Sequence, residues 1–216
     1  MAFPTTGVLD NFAYSNGELS TRPGTRWSAP LSTSYSWNVS SGVVYPISAG
    51  GAICLDTTLG DILPAEAYVT IPNLPSSGQS VGLGWFDASG NGYVMAYVHG
   101  SPGSIAIQRV ASWGGTTLGS AISVTLAAGD QIGLAVSVSG GTATIDAYTA
   151  TGGVWTNRGS RTDTTYTSAR KAAIMASGGT VASLDAYGGG QPSAPTTDRI
   201  RPALNVTPDF PFYLEV

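Results

Sequence analysis

The side chains that most often do chemistry are scarce in this 216-residue chain: one histidine, one cysteine and three glutamates. A Ser-His-Asp hydrolase would have to use His99, yet no Gly-x-Ser-x-Gly turn presents a nucleophile. His99 follows the alternating run Tyr93–Val98 and precedes the turn Gly100-Ser-Pro-Gly103, the place of a solvated or structural histidine. Cys54 stands alone in the apolar run Ala52-Ile-Cys-Leu55. It has no internal disulfide partner, and a zinc site needs several ligands at set spacings, so it reads as a buried, inert thiol. A glycosidase needs two carboxyl groups across the scissile bond. Glu18, Glu66 and Glu215 lie far apart in the sequence, and only aspartates converging in the fold could supply such a pair.

Two further constellations could bind. Asp87-x-Ser89-x-Asn91-Gly92 has the spacing of the first half of a calcium loop, but its twelfth position is Val98 where a bidentate Glu belongs. An Asx-rich hairpin turn accounts for the same residues. No cofactor is therefore expected, with weak calcium at this turn left open. The aromatics suit recognition better. Trp37 and Trp85 fall in alternating runs and read as core, whereas Trp113 lies in Ala-Ser-Trp-Gly-Gly, a turn context that would expose it. Trp155 follows Gly152-Gly153 and precedes Asn157 and Arg158. An exposed indole stacks on the apolar face of a sugar while nearby amides and charges bond its hydroxyls. The candidate glycan-binding residues are thus Trp113, Trp155, Asn157, Arg158, Asp87 and Asn91. For each tryptophan, a loop aromatic tucked against the sandwich edge is the competing reading.

The elements that must position these residues are strands. No helical period persists, and short alternating runs are separated by Gly, Pro, Ser and Asn. In Ser80–Phe86, Val81, Leu83 and Trp85 share one face. In Gln131–Ser139, Ile132, Leu134, Val136 and Val138 do, and Ala143, Ile145 and Ala147 continue the pattern after the hairpin signal Gly140-Gly141. Further strands are expected over Ser34–Val39, Val43–Ile47, Ala52–Asp56, Glu66–Ile71, Tyr93–Val98, Ser104–Val110, Ala121–Leu126, Ala172–Ala176 and Val181–Tyr187. So many half-buried strands predict an all-β, two-sheet antiparallel β-sandwich, most simply a jelly roll, over residues 1–187. Gly188–Thr197 reads as a Gly/Pro/Ser linker, and 198–216 as an extended tail carrying Phe210, Phe212, Tyr213 and Leu214 among prolines. Those aromatics need burial, either on the chain's own sandwich or docked on a partner subunit.

Composition narrows the partners. Charged residues make up only 10% against a usual share of roughly 25%, so Ser, Thr, Asn and Gly must cover much of the surface. Such a surface suits uncharged glycans or other protein subunits. A net charge of −4 with Lys171 as the only lysine argues against nucleic acid. No apolar stretch is long enough to cross a bilayer as a helix, and the start of the sequence lacks the pattern of a secretory signal, so synthesis in a cytoplasm without signal-dependent export is expected.

The segment Val8-Leu-Asp-Asn-Phe-Ala-Tyr-Ser-Asn-Gly-Glu-Leu19, with Trp27 beyond it, resembles the opening of concanavalin A-like lectin/glucanase domains. Pro75–Leu83, Gly90–Tyr93, Leu126–Leu134, Val154–Thr156, Asp163–Ser168 and Leu184–Gly190 also resemble that pattern, so the likeness spans most of residues 8–190. It implies a lectin-like jelly roll. The acidic Glu-x-Asp-x-x-Glu strand of laminarinase-like members is absent, and with it the family's glucanase residues, so the resemblance implies a non-catalytic module. Domains of this type occur in actinobacterial phages, on heads or tails. The expectation is a bacteriophage virion surface protein that displays the sandwich outward. Its partners would be a capsid or tail protein and host-surface glycan, in a symmetric assembly or homo-oligomer. A soluble carbohydrate-binding module and an atypical glycoside hydrolase are the alternatives.

Overall fold

The computed structural model describes residues 3–28, 37–47, 52–177 and 182–192, with the side chains of 52–54 and 177 excepted. The tail residues Phe210, Phe212, Tyr213 and Leu214 lie outside the described residues, as do Ser34–Ser36, Val181 and the linker beyond Pro192. The side chain of Cys54 is likewise outside them.

Alternation at period two becomes two stacked antiparallel sheets. In chain order the strands are β1 (Val8–Asp10), β2 (Gly17–Glu18), β3 (Trp27–Ser28), β4 (Trp37–Ser40), β5 (Val43–Pro46) and β6 (Ala52–Asp56). There follow β7 (Ala65–Asn73), β8 (Ser80–Phe86), β9 (Gly92–Val98), β10 (Ser104–Ala111), β11 (Gly114–Thr117) and β12 (Ile122–Ser123). The last are β13 (Gln131–Ser139), β14 (Thr142–Thr151), β15 (Val154–Asp163), β16 (Lys171–Ser177) and β17 (Ser183–Gly190). A nine-stranded sheet runs β15-β14-β13-β7-β17-β5-β4-β2, with β1 paired to β17. An eight-stranded sheet runs β11-β10-β9-β8-β16-β6-β3, with β12 paired to β10. The only helical turn among the described residues is the short 3-10 segment Leu19–Thr21.

The inward faces are the apolar sets read from the sequence. Val81, Leu83 and Trp85 of β8 meet Ile132, Leu134 and Val136 of β13 and Ile145 of β14 in one continuous core. Trp37 and Trp85 are buried as expected, and Trp85 Nε1 donates to the Ile62 carbonyl at 3.0 Å. The Gly140-Gly141 turn joins β13 to β14 with φ of 56° and 75°, the left-handed conformation that a two-residue hairpin demands.

The opening segment Val8–Leu19 has a physical reason for its residue types. Asp10, buried at the end of β1, accepts hydrogen bonds from Phe12 N–H at 2.7 Å, Tyr14 O–H at 2.7 Å and Trp27 Nε1–H at 2.7 Å. One carboxylate thus fixes the turn after β1, holding Phe12 at φ 51° and seating Trp27 against Tyr187. Burial, with the Asp10 hydrogen bond and charge, pushes the Tyr14 phenol up to about 12.

Three boundaries differ from expectation. Gly188–Gly190, read as the start of a linker, are strand: they pair with Tyr68, Ala67 and Glu66 of β7. Only Ile122–Ser123 of the expected strand Ala121–Leu126 pairs, because Val124 is already bonded to the turn at Gly103. Val154–Asp163, read as a loop, is a ten-residue edge strand, exposed on both faces along much of its length and so without alternation.

Candidate functional site

The expected glycan-binding residues divide between the two sheets. Asp87, Asn91 and Trp113 do come together, at the β8–β9 turn. Asp87 Oδ1 accepts the N–H groups of Ser89 and Asn91 at 2.9 and 3.0 Å, which is the Asx turn expected from the sequence. Burial works against the Asp87 charge. The Asn91 and Ser89 donors and the nearby Arg170 guanidinium outweigh it and hold the carboxyl below its ordinary value. Asn91 Oδ1 accepts Ser112 N–H at 3.0 Å, and Trp113 N–H donates to the Gly90 carbonyl at 3.1 Å. The indole of Trp113 lies over Gly90, where an added Cβ would come within 2.1 Å of the ring, and packs 5.5 Å from Phe86. Trp113 is therefore half-buried rather than displayed, because the glycine lets the ring fold down onto the sheet. The polar groups of Asp87 and Asn91 hold the turn together.

Trp155, Asn157 and Arg158 lie on β15, at the edge of the nine-stranded sheet, and do not share a face. Trp155 opposes Ala150 and Asn157 opposes Tyr148, which sets both outward. Arg158 sits in a bulge and donates Nε–H to Thr149 Oγ1 at 2.7 Å, on the side of the strand that faces the core.

The outward face beside Trp155 holds an aromatic cluster that the sequence did not reveal. Phe3 stacks on Tyr148 with ring centroids 4.0 Å apart and planes within 5°, and meets Trp155 edge-on at 4.9 Å. Tyr68 meets Trp155 edge-on at 5.7 Å. Glycines floor the cluster: a Cβ at Gly133 would sit 2.4 Å from the Phe3 ring, and one at Gly188 would sit 2.1 Å from Tyr68. The chain from Phe3 to Thr6 is thereby strapped across the sheet. Its anchor is Glu66, only 3% exposed, whose Oε1 accepts Thr5 N–H (2.7 Å), Thr5 O–H (3.0 Å), Thr6 N–H (2.6 Å) and Thr6 O–H (2.7 Å). Tyr68 O–H closes the strap by donating to the Thr6 carbonyl at 3.2 Å.

Beside the strap is a cleft of about 190 Å³, bounded by Phe3, Thr5, Glu66, Ser137, Asp146, Tyr148 and, on the far side, Pro192. That volume far exceeds the ~10–15 Å³ one water requires and is smaller than the ~300–1,000 Å³ of drug-sized sites. Its carboxylates stand in one cross-strand row, Glu66 and Asp146 flanking Ala135. Asp146 Oδ1 accepts from Ser160 O–H and, at 3.5 Å, from Asn157 Nδ2. Burial, together with the Asp146 and Glu66 charges, raises the Tyr148 phenol, so at neutral pH it stands as an un-ionised hydroxyl. Chemically the cleft combines an aromatic wall, hydroxyl groups and an outward carboxylate. Of its residues only Asp146 and Glu66 carried any signal in sequence, as polar positions in alternating runs. Phe3 carried none, since its contacts lie over 100 residues away.

No family model matches this chain, and no curated protein matches it. Solved structures do. A GH43 protein from Bacillus licheniformis is similar at 16% identity and a TM-score of 0.58 over 87% of this chain and 39% of that one. A xylan β-1,4-xylosidase from Bacillus halodurans is similar at 13% identity and a TM-score of 0.56 over 88% of this chain and 40% of that one. The carbohydrate-binding module CBM66 from Bacillus subtilis is similar at 13% identity and a TM-score of 0.50, over 77% of this chain and 93% of that module. The chain spans about two fifths of the length of the two larger proteins. At these identities the likeness is one of fold: a sandwich of the lectin and carbohydrate-binding-module type.

Proposed function

We propose that this sandwich is a non-catalytic carbohydrate-binding module whose site is the cleft on the outward face of the nine-stranded sheet. The observation that carries the reading is the cleft's own chemistry. Tyr148 and Phe3 supply apolar ring surface, while Asp146, Ser137 and Thr5 supply acceptors and donors within a space suited to one small polar ring. Full coverage of an isolated binding module by the fold likeness supports it. The non-catalytic part rests on Glu66. Its Oε1 already accepts four hydrogen bonds from the strap, which withdraws that oxygen from protonating a leaving group. Screening a glycan array, then titrating hits by calorimetry against Asp146→Ala and Tyr148→Ala, tests the reading. A loss of about tenfold or more in affinity, ~1.4 kcal/mol, is expected. Undiminished binding by both variants would remove the cleft from the account, and sugar release from any bound polysaccharide would replace it with the hydrolase reading.

We read the module further as displayed on a bacteriophage particle. Support comes from the resemblance of Val8–Leu19 and Trp27 to such domains and from the central place Asp10 holds in that segment. Mass spectrometry of purified particles tests this. Copies in fixed proportion to the major capsid protein indicate head decoration, a few copies indicate a tail role, and absence leaves a soluble module. Attachment through 198–216 predicts that deleting 191–216 releases the folded sandwich from the particle.

A further inference from the structure

Between β15 and β17 the outward positions of the nine-stranded sheet carry aromatic, hydroxyl, amide and glycine residues, with the Glu66 and Asp146 carboxylates beside the cleft. Among the described residues, none of these positions is Lys, Arg or His. β15 nevertheless contains two arginines within four residues, Arg158 and Arg161, and both are turned away.

The cause is the bulge. Tyr148 opposes Asn157, but Ala147 opposes Gly159, so one extra residue enters β15 at Arg158. Because side chains alternate at period two, an extra residue reverses the face of everything beyond it. Unbulged, β15 would set Arg161 opposite Thr144 on the outward face, one diagonal step from Asp146. Bulged, it sets Arg161 opposite Ile145, facing inward, and places Ser160 opposite Asp146. Each guanidinium then has a fixed place on the inner side. Arg158 bonds Thr149, while Arg161 donates to the Leu118 carbonyl at 2.7 Å and the Ser160 carbonyl at 2.8 Å, and also to that of Ser120. Asp146 keeps a hydroxyl and an amide as neighbours and gains no countercharge.

We propose that this bulge is a specificity device: it keeps the cleft free of cations, so the site accepts neutral glycans and rejects those bearing carboxylate, sulfate or phosphate groups. The inference rests on the cleft being the glycan site. A ligand anion there would meet the Asp146 carboxylate in a half-enclosed space, with no arginine or lysine among the described residues to pair with it. Like charges held a few ångströms apart at low salt disfavour binding by about 10- to 100-fold.

The experiment is calorimetric titration of the full chain with matched pairs of oligosaccharides: galactan against polygalacturonate, mannan against polymannuronate, glucan against glucuronan. Neutral members should bind at least about tenfold more tightly at low salt, and the ratio should shrink as ionic strength rises, since salt screens only the charge contribution. Asp146→Asn should narrow the ratio to about threefold or less. Deleting Arg158 should narrow it also, by returning Arg161 to the outward face, and Asp146→Asn stands alone if that deletion does not fold. Equal or tighter binding of the uronates by the wild-type chain overturns the inference while leaving the glycan site in place. An Asp146→Asn ratio equal to the wild type's overturns it too. Binding to no member of any pair takes down the glycan reading and this inference with it.

Discussion

Replacing Glu66 with alanine removes the one acceptor on which the N-terminal strap hangs. Four donors converge on Oε1 at 2.6–3.0 Å, two of them backbone N–H groups of consecutive residues. A net hydrogen bond contributes about 1 kcal/mol, so four separate ones would sum to roughly 4. They share one oxygen, and Thr5 and Thr6 are half-buried and regain water when released, which lowers the expected loss to about 3 kcal/mol. Local opening of the strap should become easier by that amount, and amide exchange at Thr5 and Thr6 should accelerate about 100-fold. If the strap unfolds with the rest, the same loss lowers Tm by roughly 6–12 °C for a domain of this size. Glu66→Gln keeps an acceptor but not the charge, and charge-assisted bonds are about twice as strong as neutral ones, so about half of each effect should remain. Hydrogen exchange read residue by residue, with a thermal scan alongside, decides the matter. Exchange within about threefold of wild type and Tm within about 1 °C would mean that Phe3 packing alone holds the strap.

Two further perturbations probe the frame beneath the site. Asp56 is fully buried and holds Arg26 through Nε at 2.9 Å and Nη2 at 2.8 Å, so Asp56→Ala strands a buried guanidinium and should cost about 3–5 kcal/mol in urea unfolding. Asp163 joins the sheets by accepting from Tyr93 O–H at 2.9 Å and from Arg109 at 3.1 Å. Burial alone would raise its pKa, but Thr165, Tyr93 and Arg109 outweigh it and the folded value falls below 3.8. A depressed carboxyl stabilises the fold fully above its unfolded pKa, and that stabilisation is lost as pH falls through the folded one. Asp163→Asn should therefore flatten the acid limb of a stability-against-pH curve below about pH 4, and an unchanged acid limb would refute the assignment.

Strands with one wet and one buried face were legible in the sequence because their period is physical. Ser80–Phe86 and Gln131–Ser139 were read with the bounds they have in the structure. The edge strand β15 was not, since Val154-Trp-Thr-Asn-Arg faces solvent on much of both sides and a bulge interrupts its alternation. Gly188–Gly190 looked like a linker because three glycines signal freedom. Here they mark a ladder over which Tyr68 lies too close for any Cβ at Gly188. The candidate site was half legible. Trp155 and Asn157 face the aromatic cluster, but Trp113, Asp87 and Asn91 belong to the opposite sheet. Phe3 and Glu66 could not be found at all, because what joins them is a chain crossing between residues about 60 apart.

The pairing of β1 with β17 also sets how the domain answers mechanical load. Val8 lies opposite Gly188 and Asp10 opposite Tyr187, antiparallel, so the chain enters and leaves at the same end of this ladder. Tension applied through both ends peels that ladder one bond at a time instead of shearing all its bonds together, and peeling needs the smaller force. The strap lies outside β1 and carries the load first. Traction would therefore draw Phe3 and Thr5 from one wall of the cleft and Pro192 from the other while the two-sheet core is still intact, so that a glycan held there is released by pull before the fold itself yields.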